Sequence, residues 1–213
     1  MMYWTRTPFW IKSMFPDWIW DVKEAQPAVY LTFDDGPHPE ITPFVLEQLR
    51  KYHAHATFFC IGHRVVKYAD VYQQIFIEEH SIGNHTYDHL DGWNVPAQKY
   101  TDNVMLAAVH INSHLFRPPY GHITPWLYRK LKKQLPNIQV VMWNVLSGDF
   151  DTSLSPQVCA EKVLFKTRPG SVIVFHDSEK ARPRLEYALP RVLAYFEKKG
   201  WAMKALPYQK INL

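Results

Sequence analysis

The sequence predicts an α/β fold, a single-domain barrel of parallel strands joined by crossover helices. Three observations carry that expectation. Seven short apolar, β-branched or aromatic runs alternate with amphipathic helical stretches. No linker, internal repeat or low-complexity segment divides the chain. The residues with chemistry in them fall where the strand-like runs stop, as on the C-terminal face of a closed or nearly closed, TIM-like α/β barrel.

The runs expected as strands cover 28–34, 56–61, 80–84, 114–118, 138–145, 171–176 and 201–206. Helices are expected near 43–53, 64–79, 97–113, 125–135, 156–167 and 183–199. Ala28-Val29-Tyr30-Leu31-Thr32-Phe33 combines β-branched and aromatic residues, and Gly36-Pro37 stops it. Thr42-Pro43, Thr124-Pro125 and Ser155-Pro156 each pair an N-cap residue with proline at the first helical position. Leu127, Leu131 and Leu135 recur at helical spacing, as do Leu189, Val192, Leu193 and Phe196. Gly200 suits a helix C-cap.

Residues 1–26 read as an N-terminal arm and 27–213 as the domain proper. The arm holds Trp4, Phe9, Trp10, Phe15, Trp18 and Trp20, interrupted by Arg6, Pro8, Lys12, Pro16 and Asp17. That interruption leaves no signal-peptide core and no membrane-spanning stretch, which by sequence reads as cytoplasmic. Aromatics mixed with cations suit a membrane interface. Packing against the barrel, closing its floor, is the favoured expectation. The 213 residues are 47% apolar, enough for a full core, and the net charge of +4 is scattered. No basic stripe marks a nucleic-acid partner. Eight Trp, twelve Tyr and twelve Phe supply ring faces that suit sugars, though most belong in the core. Cys60 and Cys159 are expected as buried thiols rather than a disulfide. Nothing in the sequence sets the oligomeric state.

Asp34 and Asp35 stand side by side at the end of the first strand. Adjacent carboxylates repel, and burying them is costly without cations. At the end of an apolar strand such a pair signals a metal or a catalytic base. His85 and His89 lie in Asn84-His85-Thr86-Tyr87-Asp88-His89, just past another strand. An extended strand separates them by roughly 13 Å, whereas a helical turn brings both to one ion. Taken alone, the pair is as readily two surface histidines. Arg117-Pro118-Pro119-Tyr120-Gly121 is a rigid loop with free Tyr120 and Gly121 amides and a guanidinium suited to a carboxylate. Asp149 follows Val140-Val141-Met142-Trp143-Asn144-Val145, and His176 ends Val172-Ile173-Val174-Phe175. Five strand ends carrying acids, histidines or arginine argue jointly for a catalytic face.

In this order the motifs resemble the polysaccharide deacetylase family, the NodB-homology domain of carbohydrate esterase family 4. Thr32-Phe33-Asp34-Asp35-Gly36-Pro37 is similar to its first motif and the His85–His89 segment to its second. Arg117–Gly121 is similar to its third and Val174-Phe175-His176 to its fifth. The resemblance spans about residues 27–206. It implies a distorted (β/α)7 TIM-like barrel. It further implies a divalent metal, zinc foremost with cobalt, manganese or nickel as alternatives, on Asp35, His85 and His89. Asp34 is then the general base, held by Arg117, and His176 the general acid, oriented by Asp149. The Tyr120 amide joins in stabilising the oxyanion.

The implied reaction removes acetyl groups from N-acetylated sugars, such as N-acetylglucosamine of peptidoglycan or chitin-like chains. The partner is then an acetylated oligo- or polysaccharide, and the implied place of work is the cell envelope. An O-acetyl (xylan-type) esterase and a small-molecule amidase are alternatives on the same fold. An inactive carbohydrate binder is a distant third, since a binder need not keep Asp34, Arg117, Asp149 and His176. One departure stands out. The fourth motif commonly ends in Asp-Trp, and here reads Asp149-Phe150.

Overall fold

The computed structural model describes residues 6–207, so Trp4, with the rest of 1–5, and residues 208–213 lie outside the description. Strand β1 (Ala28–Asp34) is buried throughout and pairs in parallel with β2 (Ala56–Cys60) on one side and β7 (Val172–His176) on the other. From β2 the sheet runs through β3 (Ser81–Asn84) and β4 (Leu115–Phe116) to β5 (Gln139–Val140). From β7 it runs to β6 (Val145–Leu146), and β8 (Ala202–Met203) joins the start of β1. All these pairings are parallel, which obliges each connection to cross over. Seven of the eight strands, β1 to β7, form the path of a half-barrel, in keeping with the expected TIM-like α/β fold in a single domain.

Alternation along β1 explains the layers. Val29, Leu31 and Phe33 face outward into the largest core cluster, beneath α2 (Ile41–Lys51), α7 (Pro156–Lys166) and α8 (Arg182–Lys198). Ala28 and Tyr30 face inward, with Phe59, Leu115, Val141 and Val172. The same period of two turns Thr32 and Asp34 into the barrel interior. A third cluster gathers Trp18, Trp20, Tyr100, Phe116, Leu127, Leu131 and Leu135 around α5 (Ala97–Ala108) and α6 (Pro125–Gln134).

The sheet path ends at β5 and β6, and the arm runs along that seam. Ile19 donates to the Val140 carbonyl at 2.9 Å and accepts from the Met142 amide at 2.7 Å. Thr7 donates to Asn144, and Val22 to Gly170. The one-turn α1 (Phe9–Met14) buries none of its residues. Among the described residues no helix is long and apolar enough to cross a membrane. Cys60 and Cys159 are buried free thiols, as expected.

Four local expectations are corrected. The run 138–145 is not one strand but β5 and β6, with 141–144 outside the ladder between them. The stretch 64–79 is two helices, α3 (Gly62–Lys67) and α4 (Ala69–Ile77), broken at Tyr68, whose backbone is non-helical. Thr42 is not an N-cap. It lies inside α2, accepts from the His38 amide at 2.8 Å and donates to Asp177. Thr124 and Ser155 do cap, each accepting from the amide three residues on at 3.2 Å. The segment after β3 is neither strand nor helical turn but an irregular loop.

Candidate active site

Every side chain of interest leaves the sheet at the same end. Asp34 and His176 are register partners on β1 and β7. Two strands from β1 on the other side, Asn84 ends β3 and pairs with Phe116 of β4, so His85 and Arg117 emerge side by side. Asp149 follows β6. Order along the sheet therefore puts Arg117 and His85 on one flank of β1, and His176 with Asp149 on the other.

Arg117 is fully buried and its guanidinium is fully engaged. Nη1 donates to Asp34 Oδ1 at 2.6 Å and to Thr32 Oγ1 at 2.7 Å. Nε donates to the Val141 carbonyl and Nη2 to the Met142 carbonyl, at 3.1 and 2.9 Å. The cation also lies 4.1 Å from the centre of the Phe59 ring. Burial lowers the pKa of Arg117, and the Asp34 carboxylate opposes that. An arginine has no accessible neutral state, so Arg117 sets a full positive charge beside Asp34.

Asp35, next along, is turned away from its neighbour by a left-handed backbone, φ 80°. Its Oδ1 lies 3.2 Å from His89 Nε2 and 3.8 Å from His85 Nε2. Neither contact has hydrogen-bond geometry, and Oδ1 is a buried oxygen with no donor. The three ligand atoms all lie within 4.8 Å of one another. Such an orphaned carboxylate oxygen facing two imidazole nitrogens fits a divalent cation, which would replace the missing donors. His85 is further prepared for that role. Its Nδ1 faces the Arg117 carbonyl at 2.7 Å, which leaves Nε2 to the cluster. Burial lowers its pKa to about 4, so the ring is neutral and able to ligate. Burial raises the pKa of Asp35, but His89, His176 and His85 outweigh it and the net shift is downward.

The loop carrying the histidines is built by two asparagines. Asn84 Oδ1 accepts from the Thr86 amide at 2.8 Å and its Nδ2 donates to the Val104 carbonyl at 3.0 Å. Asn103, on α5, accepts from the amides of Tyr87 and Asp88, both at 2.9 Å. These bonds permit positive φ at Thr86 (64°) and His89 (56°). With Asp35 and Tyr120, four of the six described non-glycine residues at positive φ belong to this site. Asn103 was invisible in sequence, its only trace being an amide on the buried face of a helix.

On the other flank, Asp149 is fully buried and bonds His176 twice, both at 2.7 Å, through the amide and through Nδ1. Phe150, where the resemblance leads one to expect tryptophan, packs edge-on against His176 with ring centres 5.2 Å apart. In the third motif the Gly121 amide is not free, since it donates to Pro118 at 3.0 Å. That leaves Tyr120, at φ 61°, as the loop's candidate donor.

Asp177 was also missed. It follows His176, is fully buried, accepts from Thr42, and leaves Oδ1 without a partner. Burial raises its pKa to about 7. A Cβ on Gly36 would overlap its carboxyl group, so only glycine fits the turn after Asp35. A second acid beside a strand-end histidine was the available signal.

A polysaccharide deacetylase family model matches residues 21–136, more than half of the chain. That stretch includes every residue named above up to Tyr120, while Asp149 and His176 lie beyond it. A peptidoglycan-N-acetylglucosamine deacetylase of Bacillus cereus is 32% identical over 85% of this chain and 87% of its own length. A chitooligosaccharide deacetylase of Azorhizobium caulinodans is 31% identical over 87% of this chain and 96% of its own. Among solved structures, the Bc1960 peptidoglycan N-acetylglucosamine deacetylase bound to an N-hydroxybenzamide compound superposes with a TM-score of 0.79. That match is at 28% identity and covers 93% of this chain and 94% of that one. Similarity of this extent, in sequence and in shape, makes the chain a member of the polysaccharide deacetylase family and a hydrolase.

Proposed function

We propose that the protein is a zinc-dependent deacetylase acting on N-acetylglucosamine units of a peptidoglycan or chitin-like glycan. The observation that carries this reading is the orphaned Asp35 oxygen facing His85 and His89, with an Asp34–Arg117 pair on one side and an Asp149–His176 pair on the other. The two relatives above, a peptidoglycan and a chitooligosaccharide deacetylase, support the substrate class.

Amide hydrolysis needs an activated water, a stabilised oxyanion and a proton for the departing nitrogen. A cation held by Asp35, His85 and His89 supplies Lewis acidity, which acidifies water and polarises the acetyl carbonyl. Asp34, fixed by Arg117, takes the proton of the attacking water. Such a positioned base contributes roughly 10²–10⁴ in rate. The Tyr120 amide donates to the developing oxyanion, a contact worth roughly 10²–10³. His176 gives its proton to the sugar nitrogen as the C–N bond breaks, leaving acetate and the free amine. Two adjacent aspartates thereby serve different ends, one neutralised by Arg117 and the other reserved for the cation.

The test is acetate release from N-acetylglucosamine oligomers by the zinc-loaded protein, beside an EDTA-treated control and an O-acetylated xylan. Release from the amide substrates, lost on chelation and restored by zinc, is the expected result. Release from xylan alone would replace the amide reading with the esterase one. The N-terminal arm belongs to the same folded unit in this proposal, since its backbone bonds span the β5–β6 seam.

A further inference from the structure

We propose that Trp93 and His122 form a stacking platform for a sugar unit neighbouring the one that is deacetylated. The proposal rests on the deacetylase reading and adds a binding subsite to it. The two rings lie nearly parallel, at 4° with centres 3.6 Å apart, and Trp93 remains 62% exposed. One indole face is therefore backed and the other is open. From there a line of rings leads inward. His122 contacts Tyr120 at 5.7 Å, and Tyr120 contacts the candidate ligand His89 at 4.8 Å. Tyr120 is itself 60% exposed, so the line forms an open aromatic rim that begins at the Asp35–His85–His89 cluster.

The platform is rigid before any ligand arrives. Asp91 Oδ1 accepts from the Trp93 amide and faces His122 Nδ1, both at 2.9 Å. Its Oδ2 accepts from the Asn94 side chain at 2.7 Å, and its carbonyl from the Asn94 amide. A Cβ on Gly92 would overlap the His122 carbonyl, so the two loops touch at backbone level. One carboxylate thus ties the loop bearing Trp93 to the loop bearing Tyr120 and His122. Holding a large apolar ring open to water and fixed in place serves no core. It matches a ligand with a flat C–H face and polar edges, which is the shape of a pyranose ring. Prior rigidity lowers the ordering cost of binding. Phe165 and Trp126 are comparably exposed, but on helix faces of α7 and α6. Trp93 differs in its connection to His89.

The experiment is calorimetric titration of zinc-loaded Asp34→Asn protein with the N-acetylglucosamine tetramer, repeated with Trp93→Ala or Trp93→Phe added. Kinetics of acetate release by the corresponding active enzymes run in parallel. Expected is about a tenfold weaker Kd for Trp93→Ala, or about 1.4 kcal/mol, with Trp93→Phe restoring most of it. In the active enzyme the loss appears in KM rather than kcat. Equal tetramer affinity in the Trp93→Ala and parent proteins would overturn the platform even if acetate is released. Trp93-dependent tetramer binding without acetate release would uphold the platform and overturn the deacetylase reading.

Discussion

Asp149 grips His176 at two points, one oxygen on its amide and the other on Nδ1, each at 2.7 Å. With Nδ1 occupied, Nε2 is the nitrogen presented to the site. Burial disfavours charge on this ring, but Asp149, joined by Asp35 and Asp34, outweighs it and raises the pKa to about 10. His176 is thus protonated at neutral pH, the state required of a general acid, and activity should fall as rising pH removes that proton.

Asp149→Asn removes the charge that does most to raise the His176 pKa. His176, the proposed acid, then loses its proton at lower pH, so the basic limb of the kcat–pH profile moves toward neutrality. A profile measured by acetate release across the alkaline range checks this. A limb that stays in place removes the coupling.

Asp34→Asn should lower kcat by roughly 10²–10⁴ and leave zinc affinity close to that of the parent, because Asp34 is not in the ligand cluster. Acetate release and a zinc-competition titration on the same preparation separate the two effects. Wild-type turnover would end the base assignment.

His85→Ala and His89→Ala each remove one of the three groups proposed to hold the metal. Zinc affinity should fall by more than the roughly 10–100-fold that loss of an outer-shell partner costs. Competition with a chelating dye reads this directly, without reference to catalysis. Unchanged affinity in either variant would move the metal elsewhere.

Arg117→Ala strands the Asp34 carboxylate and two carbonyls inside the barrel. Breaking a buried pair from one side costs about 3–5 kcal/mol, so the variant should unfold at markedly lower denaturant. Arg117→Lys cannot reproduce four donor contacts in a fork and should recover only part of the loss. Chemical denaturation of both variants tests this.

Gly36→Ala puts a methyl group against the Asp177 carboxyl group. Either that carboxyl group or the turn that follows Asp35 must shift, and a shift of the turn should lower stability and zinc affinity together. A Gly36→Ala protein with parental zinc affinity would show that this turn does not set the ligand geometry.

The strand–helix alternation was readable because each run is either apolar and β-branched or amphipathic at helical spacing. The five strand ends were readable because polar residues there interrupt apolar runs. Less visible were features that depend on distant partners. Val140–Val145 looks like one strand, yet Arg117 draws off the carbonyls of Val141 and Met142. Nothing within the run announces that. His85 and His89 meet through a loop whose shape is set by Asn103 on α5, so local spacing could not supply the geometry. Thr42 looked like a cap because its hydroxyl precedes a proline, but Asp177, from the far end of the chain, claims it.

The short stretch between β5 and β6 is held from two directions, by Ile19 of the arm and by Arg117 of the barrel. Any shortening that reaches Ile19 frees the Val140 carbonyl and the Met142 amide, and loosens the scaffold against which the guanidinium is braced. Aim of Asp34, the proposed base, would then degrade before any side chain of the candidate site had been touched. Trimmed forms of this enzyme should therefore lose turnover ahead of metal, and the bared strand margins would invite association between copies.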